Sequence, residues 1–435
     1  MIGVVRCRRG ILAYLERRRG SSETDFGMVM RIVVDFQDES LEFELPDEHL
    51  VAAWRGPAGK DRSAQDEAIN NALEGPCDYP PLRQMVVPGD RVVIALDPTI
   101  SDWEQVLSAI TIPLEESGIE PGSVTVLSPS RGPRTLQRPL PINPSLVVHD
   151  PNDRGQLAYL ATTKKGRRIY LNRHLADADL IVPVGRLGYD PILGYGGPWS
   201  VLFPGMSDRE TIQTYRGALR DEDEELPQVR ARVGLDESFE VSWLLGTPFH
   251  LGLVPGVSGL VDVVAGRDTV VRERGVLALQ QLWTFRADSR AELVVVGIGR
   301  PGAATTFESL AEGLATASRL VQHGGKIVVL SRASGEIGPS LRCLIDADDP
   351  KRGVGALRGH EADADFLVAW RIARALGWAD VFLLSGLARE VVEDLSLIPL
   401  EQPEQARRLV ARSGSCSFVS QAELTRAIVL EAGEE

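Results

Sequence analysis

The chain has 435 residues, 43% hydrophobic and 25% charged, with a formal net charge of −14. That length exceeds one compact core and predicts two domains, while the acidic balance speaks against a nucleic-acid binder or a polybasic membrane-surface protein. No apolar run reaches the ~20 residues that a bilayer span needs. The four cysteines, Cys7, Cys77, Cys343 and Cys416, are scattered without a CxxC pair. They indicate neither a disulfide framework nor a zinc knuckle, and they fit a reducing cytoplasm. The six histidines show no HxH or HExxH spacing, so local sequence offers no metal site.

Residues 1–29 form a basic head containing Arg6, Arg8, Arg9, Arg17, Arg18 and Arg19. It lacks the apolar or amphipathic stretch of a targeting signal, and a disordered tail or an upstream start codon is the expected reading. From Met30 strands and helices alternate. Arg31–Phe36 and Leu41–Leu45 read as paired strands, Gln65–Leu73 as a short helix, and Arg91–Leu96 as an apolar, β-branched strand ending at Asp97. Ser101 and Glu104 have capping-box spacing for a helix reaching Ser117. Ser123–Leu127 and Ala178–Val184 are further strands, each followed by a loop: Ser128–Arg134 and Arg186–Gly205. Ser207 and Glu210 repeat the capping spacing ahead of the next helix.

Alternation of this kind predicts parallel sheets with crossover helices and a ligand pocket beyond the carboxyl ends of the strands. The three loops at Asp97, Ser128–Arg134 and Arg186–Gly205 should build one pocket. A second unit is expected from about residue 276. It has strands Glu292–Gly297, Lys326–Leu330 and Asp380–Ser385, helices Thr306–His323 and Ala362–Leu376, and a closing helix Gln421–Glu431; Gly324–Gly325 reads as a helix C-cap. Gly252–Gly259 could be a hinge or an ordinary loop.

Several stretches, in order, carry a resemblance. They are "PCDYPPLRQMVVPG" (Pro76–Gly89), the strand end Asp97-Pro98-Thr99, "VVHD" (Val147–Asp150) with "GRRIYLNRHLADADLIVPVG" (Gly166–Gly185), "GYGGPWSVLFPGMSDRETI" (Gly194–Ile212), "GIGRPG" (Gly297–Gly302) and "HGGKIVVL" (His323–Leu330). Together, from about Met30 to the mid-330s, they resemble the nickel-dependent lactate racemase (LarA-like) family. The resemblance implies an α/β fold with mainly parallel sheets, residues 30–275 as an N-terminal domain, residues 276–435 as a C-terminal domain, and an active site in the cleft between them. It also implies a nickel-pincer nucleotide attached to a lysine and ligated by a histidine, with two acid/base histidines and a substrate-binding arginine.

At those positions this chain reads differently. Asp97 and Thr99 keep the family's Asp-x-Thr, but its arginine is Ile100. The acid/base histidines align with Arg131 and Asp190; arginine stays protonated and is a poor base, whereas a buried carboxylate could serve. The cofactor lysine aligns with Ser200 and the nickel-binding histidine with Arg216, neither of which can take its counterpart's role. A Gln-x-x-Lys pair falls on Glu308 and Ala311.

The expectation is therefore a divergent relative without its cofactor, in which orthodox racemisation is replaced by a pocket for a small anion, a hydroxy acid or a phosphate-bearing molecule. Asp97 and Asp190 are the candidate catalytic carboxylates. Thr99, Arg131, Gly196, Gly197, Ser200 and Arg216 are candidate ligand contacts, with Arg134 and Arg186 nearby adding positive charge. Each candidate has a plainer alternative. Asp97 could hold a loop, the glycines of Gly194–Gly205 could preserve an inherited turn rather than cradle phosphate, and His149-Asp150 could orient a backbone turn. An active isomerase or epimerase with an altered site, a non-catalytic binding or regulatory module, and a nucleotide-binding transferase remain as alternatives.

Overall fold

The computed structural model describes residues 29–129, 134–218, 233–247, 249–302, 304–347 and 350–430. The chain divides into two compact units: Pro57–Leu282 makes one, and the residues up to Gly56 together with those from Trp283 onward make the other. The domain boundary expected at residue 275 lies inside a helix, Asp268–Leu282. Gly275 there marks close packing rather than a break, since a Cβ would meet the Leu187 side chain at 2.8 Å.

The unit Pro57–Leu282 is built on a six-stranded sheet. Its order is Leu260–Arg267, Phe249–Pro255, Leu180–Arg186, Val92–Leu96, Val124–Ser128, Ser145–Val148. All neighbours are parallel except the edge pair Phe249–Pro255 and Leu260–Arg267. Val92–Leu96 is buried along its whole length, which is why it reads as a continuous apolar run rather than an alternating one. From this strand the chain steps outward through Val124–Ser128 and Ser145–Val148. It then returns to the other side at Leu180–Arg186, so the order reverses between Leu96 and Arg186. One sheet face packs Ile94, Val126, Val182 and Leu251 with Leu107 and Ile110 of the helix Trp103–Glu116. The opposite face packs Val93, Leu127 and Ile181 with Leu202, Phe203 and Met206. Each such fully buried aliphatic side chain contributes about 1.5–3 kcal/mol.

The other unit has an all-parallel six-stranded sheet: Ile398–Leu400, Asp380–Leu384, Val321–Leu330, Ala291–Gly297, Cys416–Ser420, Leu50–Trp54. A hairpin, Val29–Phe36 with Glu39–Pro46, presents Ile32, Val34 and Phe43 to Leu293, Val295 and Phe418 of that sheet. No helix among the described residues is long and apolar enough to cross a membrane.

Four local expectations are corrected. The helix after Asp97 starts at Trp103 behind Asp102, and Glu104 turns away from the cap to accept from Gln137 N and pair with Arg138. Asp208, not Ser207, caps the helix Arg209–Gly217, accepting from Thr211 N at 3.0 Å. The helix Phe307–Leu320 stops before Gly324-Gly325, which lies within the strand Val321–Leu330; Gly324 has φ 74°. The closing helix does not form: Gln421 turns with φ 52°, and Arg426–Val429 is a strand parallel to Thr284–Ala287. Its Ile428 and Val429 are β-branched, the choice a strand makes.

Candidate functional site

The order reversal between Val92–Leu96 and Leu180–Arg186 is where a doubly wound sheet leaves a crevice at its carboxyl end. Asp97, directly after the first strand, and Arg186, ending the second, are joined at that point. Asp97 Oδ2 accepts from Arg186 N at 3.0 Å, and Oδ1 accepts from Thr99 N at 2.9 Å and from Thr99 Oγ1 at 2.7 Å. Thr99 Oγ1 in turn accepts from Arg186 Nε at 3.2 Å. The half-buried carboxylate thus folds the loop back on itself, and Thr99 orients the guanidinium at the strand end.

The glycine loop docks beside this knot. A Cβ on Gly185 would sit 2.5 Å from Pro198 N, so only glycine lets the helix Pro198–Leu202 approach the strand. Gly197 is equally constrained, because a Cβ would meet the Trp199 ring at 2.7 Å. Trp199 is fully buried and donates Nε1 to Tyr195 O at 3.0 Å, pinning Gly194–Gly196 to the helix that follows. Ser200 Oγ donates to Gly197 O at 2.7 Å and accepts from Gly197 N at 3.1 Å, so its hydroxyl closes the first turn. Asp190 heads the hairpin Gly188–Asp190 with Gly194–Gly196, and its Oδ1 accepts from Ile192 N and Leu193 N, each at 2.7 Å. Asp190 and Ser200 meet over Gly196: a Cβ there would lie 3.7 Å from both Asp190 Oδ2 and Ser200 Oγ.

Arg216 lies in the last turn of Arg209–Gly217, half-buried, next to Tyr215. Tyr215 stacks edge-on against Phe203 and donates its hydroxyl to Glu237. Glu237 also accepts from Arg167 Nε at 3.2 Å and from Thr163 Oγ1 at 3.3 Å. Burial, then the Glu237 carboxylate, push the Tyr215 phenol far above its ordinary range, so it stays a donor. Arg134 is exposed. Arg131 lies outside the described residues.

Local motifs give no signal for Glu237 or Arg167, because the ties from Glu237 to Tyr215 and to Arg167 span 22 and 70 residues of sequence. His149 is buried; its ring bonds Ser207 O at 2.8 Å and Asn172 Nδ2 at 3.1 Å. Burial holds its pKa below the ordinary value, keeping a neutral ring that joins three loops. Among the described residues no group of three or more His, Cys, Asp or Glu is placed to hold a metal ion.

A doubly wound α/β protein whose loops gather at the strand-order reversal is the class these features define. Residues 36–226 match the lactate racemase N-terminal domain. The lactate racemase of Thermoanaerobacterium thermosaccharolyticum is 22% identical over 407 residues, covering 87% of this chain and 93% of that protein. The solved structure of that racemase's apoprotein superimposes with a TM-score of 0.72 at 18% identity, covering 92% of this chain and 100% of the other. A Thermotoga maritima protein of known structure follows at 0.60 and 14% identity, covering 87% and 100%. The chain is thus similar to lactate racemase, through a matching N-terminal domain over residues 36–226 and a shared fold.

Proposed function

We propose that this lactate-racemase-like protein binds a small anion, a hydroxy acid or a phosphate-bearing molecule, at the Asp97–Arg186 strand ends, and does so without the nickel-pincer nucleotide. The observation that carries this is the internal bonding of the inherited site. Where the resemblance expects a cofactor lysine, Ser200 spends its hydroxyl on Gly197. Where it expects an acid/base histidine, one oxygen of Asp190 is held by two backbone amides. Arg216 stands at the nickel-ligand position and cannot bind a cation. These residues do not fit the group. Arg186, oriented by Thr99 at the strand end, is suited to a carboxylate or phosphate oxygen. Cys77, Cys343 and Cys416 are free thiols, in keeping with a cytoplasmic setting.

Metal analysis and intact mass of the purified chain, with assays of lactate racemisation and calorimetry against lactate and inorganic phosphate, test this reading. The expected result is no stoichiometric nickel, no covalent adduct and no racemisation, with anion binding weakened about tenfold or more by Arg186→Gln. Nickel in stoichiometric amount with a mass adduct, or racemisation of lactate, would overturn it.

A further inference from the structure

Away from those strand ends, in the unit that begins at Trp283, three side chains form a relay. Cys343 lies on the helix Pro339–Ile345, and its Sγ is 3.2 Å from His360 Nε2. His360 Nδ1 is 2.9 Å from Asp363 Oδ2, which also accepts from Ser340 Oγ at 3.2 Å. The carboxylate fixes the tautomer: Nδ1 carries the proton toward Asp363, and Nε2 offers its lone pair to the thiol.

Two turns hold the relay in register. His360 N donates to Leu357 O and Asp363 N to His360 O, at 3.1 and 2.8 Å. Asp365, itself buried, accepts from Ser340 N and Leu341 N at 3.2 and 2.9 Å and so locks the helix bearing Cys343. The relay is reachable, since the His360 and Asp363 side chains are 36% and 16% exposed and Cys343 is half-buried. The three groups form a chain rather than converging on one point, which is the geometry of proton transfer and not of a metal clamp.

We infer that Cys343 is an activated thiol that exchanges with low-molecular-weight disulfides, with His360 as its base and Asp363 as the positioning residue. His360 Nε2 removes the Sγ proton, and the thiolate sulfur attacks one sulfur of a disulfide RS–SR. A bond forms between Sγ and that sulfur, and the RS–SR bond breaks. The leaving RS⁻ takes the proton from the His360 imidazolium and departs as RSH. Cys343 is oxidised to a mixed disulfide as one RS group is reduced. Exchange at sulfur fits better than acyl transfer, because Ser340 N and Leu341 N, the helix amides that could face an oxyanion, are already bonded to Asp365.

Full-length protein treated with glutathione disulfide and mapped by peptide mass spectrometry tests this. Cys343 in the folded chain is expected to acquire the adduct about tenfold or more faster than the same cysteine in the urea-unfolded chain at equal pH. His360→Gln and Asp363→Asn should each lower the Cys343 rate severalfold while leaving the rate at Cys77 unchanged, and Cys343→Ser should remove that adduct. A folded-chain rate no faster than the unfolded one, or variants that match the wild type, would overturn the assignment. The folded-against-unfolded comparison decides even where a variant fails to fold.

Discussion

The two sheets reverse their strand order in the same way, yet their carboxyl ends differ. In the sheet of Pro57–Leu282, both Asp97 oxygens are engaged and Thr99 bridges to Arg186. In the other, the reversal lies between Ala291–Gly297 and Cys416–Ser420, where the loops are tied by Ala422 N to Gly297 O and Gly299 N to Glu423 Oε1. There Gln421 is 1% exposed with neither amide atom partnered, and Glu423 Oε2 is buried without a partner, among the described residues. At the first end the Asp97 carboxylate is fully matched and adds stability, and only Ser128 Oγ, at the end of the neighbouring strand, is buried without a partner among the described residues. The second leaves polar groups unmatched, each costing roughly 1–3 kcal/mol.

The contrast can be broken most directly at Asp97. Asp97→Ala removes three accepted hydrogen bonds and should cost about 2–4 kcal/mol in urea unfolding; a change near zero would mean the knot does not hold the loop. His250 tests whether the first unit is satisfied throughout. It is fully buried, and neither ring nitrogen has a partner among the described residues. Burial lowers its pKa from 6.5 to about 3. The folded ring is neutral while the unfolded one protonates below about 6.5, so this stability is present above that pH and is lost as pH falls toward about 3. His250→Leu should raise stability by about 1–3 kcal/mol and weaken the acid dependence across that window.

At the other sheet end, burial raises Glu423 from 4.5 to about 7, partly offset by Arg300 and the Gly299 amide. Between those pH values the folded chain keeps a proton that the unfolded chain has released, so stability declines as pH rises. Glu423→Gln should flatten that slope, and unfolding curves at several pH values would show it. The smallest effect belongs to Ser200→Ala, about 0.5–1 kcal/mol, because the helix Pro198–Leu202 loses only its first-turn closure.

The sheets themselves were legible. Val92–Leu96 and Ala291–Gly297 announce themselves as apolar β-branched runs because both faces are covered. Leu50–Trp54 and Cys416–Ser420 were missed because their pairing joins distant parts of the chain, and nothing local marks it. The capping boxes failed for a nearer reason, since Asp102 and Asp208 sit one position closer to their helices. Motif order singled out Asp97, Asp190 and Ser200, but their bonding could not be read from order. Whether a carboxylate is free or spent depends on which backbone amides the fold brings to it. The Cys343–His360–Asp363 relay was invisible for the same reason, because 17 residues separate the sulfur from its base.

The pairing of Leu50–Trp54 with Cys416–Ser420 also orders events in time. Trp54 donates to Thr425 from 371 residues away, so a ribosome adding about 5–20 residues per second has made the first partner roughly 20–70 s before the second. Pro57–Leu282 can reach its native sheet within that interval. Leu50–Trp54 must wait without its strand partner until Cys416–Ser420 has been made, an open edge that chaperones would have to shield during synthesis.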